Sequence, residues 1–195
     1  MVVKGLFAFL LLIVVAGGVV YVLAQQKPFA ARALAPVAVS AQAARSFDDK
    51  VQVVRNALDE AKRTGAPVAI TLTLDEAELT SKASEATAQL AAGLAASDIQ
   101  VHLAGGDLIA TSKVTVQGIG LDLGVVATPV VENGQAKILI KEIQTGAIAL
   151  PEDARRQIEA QVGKAFDPQA LGLTFDISSI TIVDGKLVIL GTAKP

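Results

Sequence analysis

The run GLFAFLLLIVVAGGVVYVLA, Gly5 to Ala24, carries no charge over 20 residues. At a rise of about 1.5 Å per residue it spans about 30 Å as a helix, the hydrocarbon thickness of a bilayer. No other stretch narrows the possible folds so much. It is read as a transmembrane anchor over residues 1–24 that holds the remainder of the chain at a membrane. Lys4 precedes the run, Lys27 follows it, and Tyr21 sits near its distal end, where an aromatic suits the interface. Ala16, Gly17 and Gly18 offer a small-residue surface for contact with another helix. The alternative is a cleaved signal peptide ending at Val22-Leu23-Ala24, although the apolar core is longer than such a segment needs. Both readings export the rest of the chain. The expected topology is single-pass, with a cytoplasmic N-terminus and an extracytoplasmic domain; the charge bias across the run is slight, so the orientation rests on the likeness to a signal-anchor.

Beyond the anchor, composition becomes ordinary. The chain is 52% apolar overall, and about 47% without its first 24 residues, as in a globular domain. Net charge is −2. No Lys or Arg run is present, so the basic face needed to replace phosphate counterions is missing and nucleic acid is not an expected partner. The absence of cysteine removes disulfides, thiolate nucleophiles and cysteine metal sites together.

Residues 25–45 are rich in Ala and carry Pro28 and Pro36. They read as a linker of ~20 residues that reaches about 65 Å when extended. The extracytoplasmic domain is expected over 46–195. Ser46 and Asp49 resemble a capping box, and Phe47, Val51, Val54, Leu58 and Ala61 then follow as one helical stripe closed by Gly65 and Pro67. Pro67 to Thr73 alternates like a strand. Thr73 and Glu76 form a second capping box, with Leu79, Ala83, Ala86, Leu90 and Leu94 at helical spacing behind it. The acids of this joint are read as helix caps rather than as a metal or catalytic cluster.

From Ile99 the pattern turns to strands: Ile99 to Leu103, a turn at Gly105-Gly106, Asp107 to Gln117, an alternating run from Ile119, and a hairpin at Asn133-Gly134 with Ala136 to Ile143 as partner. A helix is expected in LPEDARRQIEAQVGKAF, with Ile158, Val162 and Phe166 on one face. A final hairpin turns at Asp184-Gly185. The expected class is α+β, with an antiparallel sheet wrapped around or covered by amphipathic helices.

Enzyme chemistry is not expected. His102 is the one histidine; it falls opposite the apolar face of its strand, beside Gln100, and reads as solvated. One histidine and no cysteine leave zinc sites and Cys/His nucleophiles without ligands or bases, and no G-x-S-x-G elbow is present. No metal or cofactor is expected. GIGLDLG, Gly118 to Gly124, lacks the third glycine of a dinucleotide fingerprint and lies within a strand pattern. Its glycines suit sheet curvature or bulges. A carboxylate-only hydrolase stays open, because spacing along the chain does not report which acids meet in space.

The order of anchor, linker, ITLTLDEAELTSKA, IQVHLAGGDLIATSKV, VVENGQAKILIKEIQTGAIALPEDARRQIEAQV and ISSITIVDGKLVILGT resembles the YpmS-like and LmeA-like bacterial envelope proteins, relatives of the tubular lipid-binding superfamily. The likeness covers about residues 66–192 and consists of strand, cap and hairpin patterns. It implies a strongly curved sheet around a helix, with an apolar groove for acyl chains. Similar proteins often carry an amide where this chain has Leu79-Thr80, so no site residue is carried over. The Ala-rich covering helices permit close packing or leave room for a chain-like ligand. The groove candidates are Leu79, Leu90, Leu94, Ile158, Val162 and Phe166, all equally suited to an ordinary core. The expected function is non-enzymatic binding or handling of membrane lipid. The alternative is a structural or accessory subunit of a larger membrane complex, its apolar helix packing laterally and its domain covering a partner.

Overall fold

A computed structural model of the chain describes residues 34–87, 95–116, 119–145 and 175–195. In chain order the elements are α1 (Ala41–Thr64), β1 (Val68–Asp75), α2 (Glu76–Thr87), β2 (Ala95–Ala104), β3 (Asp107–Val116), β4 (Ile119–Glu132), β5 (Gln135–Thr145), β6 (Phe175–Val183) and β7 (Lys186–Ala193). Among the described residues no helix is long and apolar enough to cross a membrane. The run Gly5–Ala24, with Ala16, Gly17 and Gly18, lies outside the described residues, as does the helix expected after Pro151.

The α+β class and antiparallel pairing are as expected, but the strands divide into two sheets. One is a meander in the order β2-β3-β4-β5; the other has the order β1-β7-β6. The second arises because β1 pairs along its full length with the last strand, from Val68 opposite Ala193 to Asp75 opposite Lys186. A bond from the Ile177 N–H to the Gly134 carbonyl, 2.8 Å, links the β4–β5 turn to β6. The three strand pairs that depart from simple register do so at Ser97/Gln100, Val126/Ala127 and Ile177/Ser179. None of these irregularities falls on the Gly118–Gly124 glycines, and Gly124 stays in register with Thr111 and Gln144.

α1 starts before the expected Ser46. Ser40 is its N-cap, in extended backbone, and its hydroxyl accepts the Ala43 N–H at 3.1 Å. Ala41 to Arg45, assigned to the linker from sequence, form the first turns. Their alanines favour helix once a cap precedes them. Gly65 ends the helix at φ 69°, donating its N–H to the Ala61 carbonyl at 2.9 Å. The buried stripe is Ala44, Phe47, Val54, Leu58 and Ala61. Its lower half packs on Ile70 and Ala193. Phe47 joins the larger core of Leu74, Leu79, Ala83, Ile99, Val101, Leu103, Leu108, Ala110 and Leu187. The helices thus bridge the two sheets.

Candidate functional site

The joint between β1 and α2 is built two residues later than the sequence pattern suggests. β1 continues to Asp75, which caps α2: its carboxylate accepts the Glu78 N–H at 2.8 Å, and Glu78 Oε2 accepts the Asp75 N–H at 3.0 Å. This reciprocal pair is the capping box, in place of Thr73 and Glu76. Glu78 is 3% exposed. Its Oε1 also accepts the Ser46 hydroxyl and the Lys50 ammonium, both at 2.5 Å. Burial alone raises a carboxyl pKa; bonds from Lys50, Ser46 and the Asp75 backbone outweigh it and hold Glu78 below its ordinary value. These groups therefore fasten α1 to α2.

α2 then closes the open edge of β2. The Thr80 hydroxyl accepts the Val101 N–H at 2.9 Å and lies 3.3 Å from the Val101 carbonyl as donor. Glu76 Oε1 accepts the Leu103 N–H at 2.6 Å. One residue before Val101 in β2, the Gln100 side-chain Oε1 accepts the Val37 N–H at 2.6 Å. Side chains thus occupy the ladder positions that a further strand would take, which protects an otherwise exposed edge. His102 is not the solvated residue expected from its strand pattern. It does alternate away from Val101 and Leu103, but it is 6% exposed rather than solvated, with Nδ1 3.8 Å from Glu76 Oε2.

The meander has one apolar face. Register places Val101 and Leu103 of β2, Leu108 and Ala110 of β3, Val125 and Ala127 of β4, and Ile140 and Ile143 of β5 on it. The irregularity opposite Val126/Ala127 leaves Lys141 as the extra residue, so Ile140 and Ile143 face the same way despite odd spacing. Val101, Leu103, Leu108, Ala110, Val125 and Ala127 are buried on this face, whereas Ile138, Ile140 and Ile143 of β5 and Pro129 and Val131 of β4 are only half-buried. Of the groove candidates, Leu79 is 4% exposed and packed in the core. Leu90, Leu94, Ile158, Val162 and Phe166 lie outside the described residues. The Ile138–Ile140–Ile143 row escaped the sequence reading because the bulge breaks its alternation.

A separate cavity of about 420 Å³ opens between the start of α1 and α2, lined by Val39, Ala41 and Ala44 with Ser81, Arg45, Asp48 and Glu85 among others. Asp48 and Glu85 converge there on one ammonium: Lys82 Nζ lies 2.7 Å from Asp48 Oδ2 and 2.8 Å from Glu85 Oε2. Burial would lower the Lys82 pKa, but the two carboxylates raise it above its ordinary value. Ser81 Oγ accepts the Ser40 N–H at 3.0 Å. Both acids at the cavity are thus engaged by one cation. The described residues contain no group of three or more metal-ligating side chains. The chain matches no protein-family model, no curated protein and no solved structure.

Proposed function

We propose that this chain is a membrane-tethered extracytoplasmic domain of the bacterial envelope that binds or handles lipid, without covalent chemistry, on the apolar face of its meander sheet. The observation that carries the reading is the half-buried isoleucine row at the β5 end of that face, which continues onto half-buried Pro129 and Val131 of β4. Four strands about 4.8 Å apart make the face roughly 14 Å wide, the scale of an acyl-chain segment. Each methylene covered there contributes about 0.8 kcal/mol. The uncharged run Gly5–Ala24 supplies the tether that keeps such a face near its ligand.

Native mass spectrometry of the full-length protein, extracted from its own membrane in mild detergent, tests this. The expected result is a monomer carrying a stoichiometric lipid that Ile140→Asp abolishes. A lipid-free monomer would sink the reading. The accessory-subunit reading draws on Ala16, Gly17 and Gly18, whose small side chains let a second membrane helix approach closely. In the same spectrum it is recognised as a heavier assembly with fixed protein partners.

A further inference from the structure

The cavity at the start of α1 lies where the chain enters the domain. Val39, Ser40 and Ala41 form part of its wall. The entering segment is fastened to the domain at two points just before the helix, the Val37 N–H on Gln100 and the Ser40 N–H on Ser81. From Ala24, the last residue of the uncharged run, to Leu34, the first described residue, the chain reaches at most about 35 Å. The chain therefore enters the domain beside this cavity, within reach of the end of the apolar run.

Its chemistry also suits a bilayer surface. Val39, 56% exposed, is among the most exposed large apolar residues. Val39, Ala41 and Ala44 give the cavity an apolar side. Arg45 stands exposed on its rim. Asp48 and Glu85 share the single charge of Lys82, which leaves one net negative charge at the other side. A cation and an excess anion beside an apolar surface complement a zwitterionic headgroup, whose phosphate pairs with Arg45 and whose ammonium turns to the acids.

We infer that the α1–α2 cavity faces the bilayer and receives the headgroup of a zwitterionic phospholipid. This rests on the tether proposed above. Because the chain has no cysteine, a single cysteine gives one unambiguous label. Full-length Val39→Cys, Val53→Cys and Val183→Cys, each carrying a fluorophore, are reconstituted in phosphatidylethanolamine–phosphatidylglycerol vesicles. The quencher is phosphatidylcholine with a nitroxide on its headgroup. Val53 and Val183 are both exposed; Val53 lies about 20 Å along the helix from Val39 at 1.5 Å per residue. The expected result is quenching at residue 39 with little at 53 or 183, and loss of that quenching on adding Arg45→Glu. Equal quenching at all three positions, or quenching indifferent to Arg45→Glu, overturns the inference. Alkaline carbonate extraction separates the two failures. Protein that stays in the membrane but shows equal quenching refutes the cavity's role alone. Protein released by carbonate refutes the tether, and the inference falls with it.

Discussion

Glu78 concentrates three donors on one buried carboxylate: the Asp75 N–H, the Ser46 hydroxyl and the Lys50 ammonium. Glu78→Gln keeps the shape but removes the charge, and is expected to cost about 1–3 kcal/mol in urea unfolding at neutral pH. The pH dependence is set by the direction of the shift. The folded pKa lies below the ordinary value of 4.5, so the contribution is complete above that range and is lost as pH falls through the folded value. Wild-type stability measured from pH 7 to pH 3 should therefore drop at the acid end by more than that of Glu78→Gln; parallel profiles would contradict this. A second position acts through space alone. A Cβ at Gly191 would lie 2.5 Å from the Asp176 carbonyl oxygen and 3.0 Å from the Phe175 ring. Gly191→Ala is expected to destabilise by about 1–3 kcal/mol through overpacking, seen as a lower thermal midpoint. Gly191 did not stand out in the sequence, and Glu78 read there only as an acid suited to the helix dipole. Thr73–Glu76 and Asp75–Glu78 both spell a capping box, and only the pairing of Asp75 with Lys186 keeps the strand going long enough to choose the second.

α2 does a strand's work along the edge of β2, and its sequence conceals this, because Thr80 reads there as a weak helix former. Thr80→Val is nearly isosteric and leaves the buried Val101 N–H without its partner. The expected cost is about 1–3 kcal/mol. Faster hydrogen exchange at the Val101 amide should accompany it, and Thr80→Ser should restore most of the protection. Unchanged exchange at Val101 would mean that the edge is sealed by other groups. The opposite edge, β5, is blunted differently, by exposed Lys137 and Lys141 and by the extra residue in its ladder. The hairpins were legible because their turns demand unusual backbone. Asn133 and Asp184, each followed by glycine, have φ 54° and 51°, values these residues tolerate far better than β-branched ones. The β1–β7 pairing was not legible, since it joins strands more than a hundred residues apart and leaves no local mark on either.

At the scale of the whole molecule, the question is where the folded unit begins. Sequence placed that point at Ser46, where a capping-box pattern with Asp49 stands. The structure moves it upstream, since Val37 and Ser40 are already bonded to β2 and α2. Only the far ends of those bonds, Gln100 and Ser81, make the earlier residues part of the fold, and contacts across that distance have no local signature. Two truncations turn the difference into a measurement. Removing residues 1–33 deletes the apolar run and leaves the Val37 and Ser40 bonds and the core intact, so the product should fold cooperatively. Removing residues 1–40 also deletes the Ser40 cap, worth about 1 kcal/mol, and the Val37 and Ser40 hydrogen bonds, at about 0.5–1.5 kcal/mol each. The shorter product should therefore be less stable by about 2–4 kcal/mol in urea, a large share of the 5–15 kcal/mol typical of a domain. Equal stability would start the folded unit at Ala41 and make residues 34–40 a passive leash. The larger loss would make them a rigid bracket, folded as one unit with β2 and α2 through Gln100 and Ser81.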